Sequence, residues 1–289
     1  WESCHRRGLR GSVGAWALCP PFFLRVPEIS VLPRGAGCDT MALLYNKECA
    51  GSLEILDLSQ ANIVEGGEPY FYMYSDFYTK NDEFSTYFFK GCKLKTVVFP
   101  LSLKVVGNAA FSECYNLSGK IVIPEGVTTV GVSSFEATAI ESVELPSSLV
   151  TVTDGAMAID AIGAHAFENC RSLREINIPE SITTIQTSVF SGCSSLTTIT
   201  LPKGITGVRG SAFQDCTGLK EIRVHASVPP KADYQAFYKV DTKACKLVVP
   251  AGAREAYKEA DEWKEFDIQE DATLSIRENE KNNDSVKVY

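Results

Sequence analysis

A repeat of about 23 residues constrains this chain more than any other feature of its sequence. Between residues 167 and 216, the apolar landmarks of one unit return 23 positions later, as Leu173 returns at Leu196 and Cys193 at Cys216. A fixed period in the twenties is typical of a stacked solenoid, in which each unit is stable only when packed on its neighbours. The sequence therefore predicts one elongated domain that offers a surface rather than an active-site pocket.

The same frame extends over most of the chain. A phenylalanine marks each unit, 22 to 24 residues from the next except for 32 residues between Phe135 and Phe167. Within a unit, Leu-x-x-Ile-x-Ile-Pro predicts a short strand and Ile-x-x-Ile predicts a second one. The Ala-Phe-x-x-Cys step that follows predicts a single helical or 3₁₀ turn. Strands stacked about 4.8 Å apart would make a rod roughly 35 Å long.

Composition argues against two classes of protein. The chain has 28 Lys and Arg against 36 Asp and Glu, a net charge of −8, which argues against a nucleic-acid partner. It contains no run of 18 apolar residues, so the sequence predicts no membrane span. Arg6, Arg7 and Arg10 precede an apolar stretch, but Pro20 and Pro21 interrupt it, which favours an irregular flank over an export leader.

Nine of the ten cysteines fall into two groups. Five of them occupy one repeat position and should stack in the core as small apolar residues: Cys92, Cys114, Cys170, Cys193 and Cys216. Thr138 takes that position in another unit, which an obligatory metal site would not permit. Four others lie in the flank of residues 1–50 without metal-type spacing, and their disulfide pairing stays open: Cys4, Cys19, Cys38 and Cys49.

No motif of a known catalytic or nucleotide-binding site is present. The sequence therefore predicts no enzyme, no catalytic residue, no cofactor and no metal site. What varies between repeats is more informative. Between the two inward positions of the first strand, successive units place Glu144, Asn177, Thr200 and Arg223, which we take as candidate ligand-binding residues.

Two interruptions divide the predicted solenoid of residues 51–250. An aromatic loop over 66–89 contains the candidate ligand-binding residues Tyr70, Tyr72, Tyr74 and Tyr78, because tyrosine-rich loops make large contacts at low entropic cost. The alternative is that its rings pack back on the first coil as a hydrophobic plug. The second interruption, residues 153–162, falls at one edge of the solenoid, where insertions often form a binding edge.

The end of the solenoid has a pattern of its own. Over residues 251–266, apolar side chains follow helical spacing, which predicts an amphipathic helix that caps the open core with Trp263 and Phe266. Residues 267–289 are polar and charged and are expected to form a flexible tail.

The repeated frame, Cys-x-x-Leu-x-x-Ile-x-Ile-Pro-x-Ser-Ile-x-x-Ile-x-x-x-Ala-Phe, closely resembles the BspA-like leucine-rich repeats of bacterial cell-surface proteins. The resemblance covers roughly residues 50–266, and the segment from Lys246 to Trp263 is similar to the terminal cap of such proteins. Residues 286–289 are similar to the opening of a sorting or anchoring module. The resemblance implies a right-handed leucine-rich-repeat solenoid, mainly β with short helical turns.

For function, the resemblance implies export and display at the cell surface. It implies a protein-binding or adhesion module whose partners are host, matrix or other bacterial surface proteins. Two alternatives stay open. The solenoid could be a structural spacer that displays another domain, or it could be a glycan-binding protein, which would need a cleft with paired carboxylates.

Overall fold

The chain winds into a solenoid whose strands run parallel from coil to coil. The computed structural model describes residues 23–25, 54–59, 61–63, 65–72, 75–154 and 157–275. Over these residues the solenoid makes about eight turns and is mainly β, which confirms the predicted fold class. One continuous apolar core runs along its axis.

The first wall of the solenoid contains one parallel strand from each coil. Its strands alternate apolar inward residues with outward ones, as in β15, where Ile199 and Leu201 are buried and Thr198 and Thr200 are exposed. They form three sheets in the orders β1-β2-β6, β8-β10-β13 and β15-β17-β19-β20. The strands are β1 Phe23–Arg25, β2 Ile55–Asp57, β6 Thr96–Val98, β8 Ser118–Val122, β10 Ala139–Glu144, β13 Glu175–Ile176, β15 Thr198–Leu201, β17 Glu221–Val224, β19 Lys246–Pro250 and β20 Asp267–Asp271.

The second wall is built from two-residue strands. They form the sheets β5-β7-β9 and β14-β16-β18, and Ile162 pairs with Val130 through a single bridge. The strands are β5 Glu83–Phe84, β7 Val105–Val106, β9 Thr129–Val130, β14 Thr184–Ile185, β16 Gly207–Val208 and β18 Lys231–Ala232. Their last residue is buried in most coils, as Val106, Val130 and Ile185 are. This is the second strand that the repeat predicts.

The third wall, around each repeated phenylalanine, is a run of overlapping turns rather than a helical turn. Residues two before and two after the phenylalanine have positive φ, as His165 (60°) and Asn169 (58°) do around Phe167. Alternation of left-handed and right-handed residues rotates successive peptide groups, so alternate N–H groups point in different directions. The N–H of Phe167 donates to Val189 O in the next coil (3.0 Å), whereas that of Glu168 donates to His165 O (3.0 Å).

Two columns of side chains fill the core behind the third wall. The repeated phenylalanine rings stack face to face with centroids 5.1 to 5.9 Å apart, from Phe89 to Phe237. Beside them the cysteines are buried. Four thiols donate to the phenylalanine carbonyl of the preceding coil, as Cys114 Sγ does to Phe89 O (3.0 Å); the other three are those of Cys170, Cys193 and Cys216. Thr138, which replaces the cysteine in its coil, also donates to a phenylalanine carbonyl, but to that of its own turn, Phe135 O (2.9 Å).

Both interruptions of the repeat are antiparallel hairpins, and both leave their coil just before the second wall. The first pairs β3 Gly66–Tyr72 with β4 Ser75–Thr79. It begins after Ile63, whose carbonyl accepts from Asp82 N (2.9 Å). The second pairs β11 Val152–Asp154 with β12 Met157–Ile159, between Val150 and Ile162. The insertions therefore extend from the same corner of two coils.

The C-terminal cap covers the core with aromatic rings. Helix α1, Arg254–Glu259, is followed by turns through residue 265, so the helix is shorter than the amphipathic pattern predicts. Tyr257 and Trp263 are fully buried, and Trp263 packs against Phe237 with centroids 4.9 Å apart. Their polar atoms are paired: Tyr257 Oη donates to Ala226 O and Trp263 Nε1 to Pro230 O, both at 2.8 Å.

Residues 267–275 differ from the expected flexible tail. Strand β20 pairs with β19 from Lys246↔Asp267 to Pro250↔Asp271, and a 3₁₀ helix follows at Ala272–Ser275. The reason is that β19 is an open sheet edge and Ile268 supplies one more inward apolar residue, which is buried. Residues 276–289 lie outside the described part of the chain.

Candidate functional site

The four candidate residues of the strand column lie on the outward face of the first wall. Glu144 ends β10, Asn177 directly follows β13, Thr200 lies in β15 and Arg223 lies in β17. Thr200 and Arg223 are direct partners in the register of their strands. The repeat thus places these side chains in a row across successive coils, although their environments differ.

Glu144 and Asn177 are both engaged with neighbouring coils. The Glu144 carboxylate pairs with Lys120 Nζ at 2.5 Å, and both side chains are more than half exposed. The Asn177 carboxamide accepts from Leu145 N (2.8 Å) and donates to Leu145 O (3.0 Å). Asn177 therefore continues the hydrogen-bond ladder where the two-residue strand β13 has already ended, which is a structural role.

Arg223 is similarly held, while Thr200 is open to solvent. Arg223 Nε donates to Glu221 (2.6 Å) and Nη1 to Asp271 (3.3 Å). Hydrogen bonding to Glu221, followed by the attraction of both carboxylates, raises the pKa of Arg223 above its ordinary value. Thr200 is exposed and has no side-chain hydrogen bond to any residue that the structure describes. Of the four candidate residues, Thr200 is therefore the one whose side chain has no partner among the described residues.

Exposed apolar residues lie in the coils that precede Glu144. Val98 is 44% exposed and Val122 is 51% exposed at outward positions of β6 and β8, and Leu101 beside them is 78% exposed. Val98 and Val122 occupy the same repeat position as Glu144, and Lys120 lies two residues before Val122. We call Val98, Leu101 and Val122 the apolar patch. The sequence does contain a signal for this patch: valine stands at outward strand positions that are polar in later repeats. Our candidate residues did not include the patch.

The aromatic run divides between core and surface. Phe84, Phe88 and Phe89 are fully buried and pack together at the start of the phenylalanine column, with centroids 4.8 to 5.7 Å apart. Tyr78, in β4 of the first hairpin, is 55% exposed. Of the other candidate tyrosines, Tyr70 and Tyr72 lie in β3. Tyr74 lies outside the described residues.

A comparison with known protein families decides the relationship of this chain. The sequence profile of the BspA type Leucine rich repeat region matches it in six copies, over residues 82–159 and 156–260. The chain belongs to the BspA-type leucine-rich repeat family. The family and the fold are those of a non-enzymatic repeat scaffold, and the family points to a protein-interaction module.

Two solved structures are similar to this BspA-type protein. One is a leucine-rich repeat protein from Bacteroides ovatus ATCC 8483, with 22% identity, a TM-score of 0.48 and coverage of 68% of this chain. The other is a leucine rich cell surface protein from Faecalibacterium prausnitzii A2-165, with 24% identity, a TM-score of 0.45 and coverage of 73%. The matches cover only 52% and 63% of those two chains. A comparison with curated protein sequences found no match.

The ionisable groups in the core of this BspA-type protein are held neutral. Burial raises the pKa of the Cys170 and Cys216 thiols to about 12, which makes them poor nucleophiles. His165, near the third wall, is half-buried, and its Nδ1 lies 2.6 Å from a Glu168 oxygen. Among the described residues, no His, Cys, Asp or Glu cluster is placed to hold a metal ion. Nor does that part of the chain contain a helix long and apolar enough to cross a bilayer.

Proposed function

We propose that this BspA-type repeat protein is a cell-surface module that binds a partner protein through the first wall around the apolar patch. The observation that carries this proposal is the exposure of Val98, Leu101 and Val122 at neighbouring positions of a rigid wall. An apolar cluster rimmed by polar residues is typical of a protein contact site. The patch would supply the desolvated centre of the interface, and the Lys120–Glu144 pair would lie at its rim.

Rigidity supports the proposal energetically. Inward residues of the same strands, such as Val97 and Ile121, are buried in the continuous core, which holds the outward positions in place. A surface that is already ordered loses little conformational entropy on binding, so more of the contact energy contributes to affinity. The later residues of the column, Asn177, Thr200 and Arg223, would extend the contact by polar interactions, and Tyr78 would add an aromatic contact from the first hairpin.

The location at the cell surface rests on the resemblance to BspA-like proteins. Its test is treatment of intact bacteria that produce the full-length protein with an impermeant protease, followed by immunoblotting. We expect loss of the protein from intact cells at the same protease dose that spares a cytosolic marker. Retention of the protein until the cells are lysed would contradict the surface location.

The binding test uses a panel of immobilised matrix and bacterial surface proteins, with a glycan array beside it. The double variant Val98→Lys and Val122→Lys places two charges at the centre of the patch. We expect it to lose at least roughly tenfold in affinity for the partner that the wild type binds, because burying an unpaired charge is costly.

The matched control is Thr183→Lys, an exposed residue directly before β14 on the second wall. It adds a charge to another side of the solenoid and should leave the affinity unchanged. Equal binding by the double variant and the control would contradict the proposed surface. Binding to glycans but to no protein of the panel would favour the glycan-binding alternative instead.

A further inference from the structure

The third wall offers a second, independent surface at its C-terminal end. Among the described residues, every backbone hydrogen bond between coils in this wall runs in one direction, from an N–H group to a carbonyl of the following coil. Phe135 N donates to Ala166 O (2.8 Å), and Phe213 N donates to Ala236 O (2.8 Å). The direction is set by the alternation of left-handed and right-handed residues, which aims alternate N–H groups to the same side. Residues 235–239 form the last turn of this kind among the described residues, so their donors face the cap rather than another such turn.

Those donors belong to Gln235, Phe237 and Lys239. Gln235 and Lys239 have the same positive φ, 63° and 64°, as their equivalents in earlier coils. The N–H groups between them are paired within the turn, since Ala236 donates to Asp233 O and Tyr238 to Gln235 O, both at 3.1 Å. Within the described part of the chain, Gln235, Phe237 and Lys239 N–H have no acceptor. Their counterparts in earlier coils are paired, with Ser211 as the exception.

The C-terminal cap covers the core here but leaves these donors open. Trp263 and Phe266 pack on the Phe237 ring with centroids 4.9 and 5.0 Å away. The side-chain hydrogen bonds of the cap go elsewhere, to the carbonyls of Ala226 and Pro230. Between the last turn and the cap lies a groove of about 640 Å³, whose lining includes Gln235 and Phe237.

Two exposed tyrosines flank the open donors. Tyr234 is 80% exposed and Tyr238 is 48% exposed, and both line the groove. Lys239 Nζ already lies 5.5 Å from the Tyr238 ring centroid, so this ring accepts a cation on its face. Aromatic side chains beside unpaired backbone donors form a site for another chain, because they add apolar contact to directional hydrogen bonds.

The groove carries a net negative charge on the side of the cap, which favours a basic ligand. Asp261, Glu262, Lys264 and Glu265 line the cap side, three carboxylates against one ammonium. Lys264 pairs with Asp261 at 2.7 Å, and Glu265 pairs with Lys243 at 3.1 Å. Glu262 has no cationic partner among the described residues. A free anion would be repelled here, whereas a neutral carbonyl would satisfy the donors and a basic side chain would satisfy Glu262.

We propose that this groove binds an extended, basic polypeptide segment of a partner protein, whose backbone carbonyls accept from Gln235, Phe237 and Lys239. The carbonyls on one edge of an extended chain come from every second residue, as these donors do. Lysine or arginine side chains of the segment contact Tyr234 and Glu262.

The test uses the full chain and two capped eight-residue peptides, one alternating Lys with Thr and the other alternating Glu with Thr. Fluorescence anisotropy measures the affinity, and amide hydrogen exchange by NMR locates the contact. We expect the basic peptide to bind at least tenfold more tightly. It should slow exchange at Gln235, Phe237 and Lys239 more than elsewhere in the protein.

Two variants separate recognition from folding. Tyr234→Ser and Glu262→Gln should each weaken the basic peptide roughly threefold to tenfold. The matched control, Tyr115→Ser, removes another exposed tyrosine, 65% exposed and far along the chain, and should change nothing. Equal affinity for both peptides, or protection of other amides only, would overturn the proposal. So would protection of these three amides by inorganic phosphate. None of these results bears on the apolar patch of the first wall, so the two proposals fail separately.

Discussion

The first wall and the third wall of the solenoid use the same repeat in opposite ways. In the third wall, the repeated side chains point inward: each coil has a buried phenylalanine and, in most coils, a buried cysteine. In the first wall, the inward residues also repeat, but the outward ones change from Val98 to Glu144 to Arg223. We therefore expect stability to be concentrated in the third wall, and we propose that side-chain recognition belongs to the first.

The two walls also differ in the groups that they leave available for a partner. In the third wall, the repeated phenylalanine and cysteine side chains are occupied by the core. Apart from Ser211 N, the described donors of this wall that lack a partner in a following coil lie at its C-terminal end. The first wall presents outward side chains along its whole length. Apart from Asn177, which continues the hydrogen-bond ladder to Leu145, we expect these side chains not to carry the fold. The following predictions test how stability is divided between the two walls.

Alkaline pH should have the largest effect, through the buried thiols. Burial raises the pKa of Cys92 to about 11 and those of Cys170 and Cys216 to about 12, above the unfolded value of 9.0. Below pH 9 the thiols are protonated in both states, and their contribution to stability is fully present. As pH rises from 9 towards 12, the unfolded thiols ionise while the folded ones do not, so stability falls.

At pH 10 the loss should be roughly 1 kcal/mol per buried thiol, or several kcal/mol for the column. Urea titrations followed by circular dichroism at pH 8 and pH 10 measure it. A variant with Cys170→Ala and Cys193→Ala should lose less on the same pH change than the wild type. If the two lose the same amount, the thiols do not set the alkaline limit.

Removal of one ring from the phenylalanine column should be the most damaging single substitution. Phe167 is fully buried and stacks between Phe135 and Phe190 at 5.6 and 5.9 Å. Phe167→Ala should lower the free energy of unfolding by about 3–5 kcal/mol, because it leaves a cavity in a core that cannot collapse. Thr200→Ala on the first wall should change it by less than about 0.5 kcal/mol in the same denaturation experiment. Similar losses for both would remove the distinction between the walls.

Thr138 tests whether the cysteine position needs a donor or only an apolar volume. Its hydroxyl donates to Phe135 O at 2.9 Å and lies 3.3 Å from Cys170 Sγ. Thr138→Val keeps the shape but removes the donor, and should cost about 1–2 kcal/mol. Thr138→Cys restores a weak donor and should cost less than Thr138→Val when both are measured by chemical denaturation. If the Thr138→Val variant is as stable as the wild type, the residue at this position does not need to donate a hydrogen bond, and packing alone explains the cysteine column.

The smallest effect should come from the ion pair of the first wall. Lys120 and Glu144 are 54% and 56% exposed, so solvent screens their attraction. Glu144→Gln should change the free energy of unfolding by about 0–0.5 kcal/mol. A loss above about 2 kcal/mol by denaturation would mean that the outward face also carries the fold.

Most of the fold is predictable from the sequence, because inward positions repeat with a constant period. The strands, the phenylalanine column and the cap around Trp263 follow from that period and from apolar spacing. The third-wall turns do not, since their alternating φ values depend on hydrogen bonds to the next coil as well as on local propensity. Strand β20 is not predictable from the sequence for a related reason. Ile268 is a single apolar residue in a polar stretch, and the open edge of β19 decides the conformation of this segment.

The candidate site is only partly predictable. Repeat position alone places Glu144, Asn177, Thr200 and Arg223 on one outward face. Their availability depends on partners in other coils, such as Leu145 for Asn177 and Asp271 for Arg223, which no local pattern reveals. The open donors of Gln235 and Lys239 are backbone groups, so side-chain identity carries no signal for them.

Residue-resolved amide hydrogen exchange of the free protein tests the central contrast most directly. Phe213 N and Asp215 N donate across coils at 2.8 and 2.9 Å, whereas Phe237 N and Lys239 N occupy the equivalent positions without an acceptor among the described residues. The first pair should exchange only through global or near-global unfolding, and the second pair should exchange orders of magnitude faster. Equal protection of all four amides would mean that the last coil is closed, and would contradict an open C-terminal edge of the third wall.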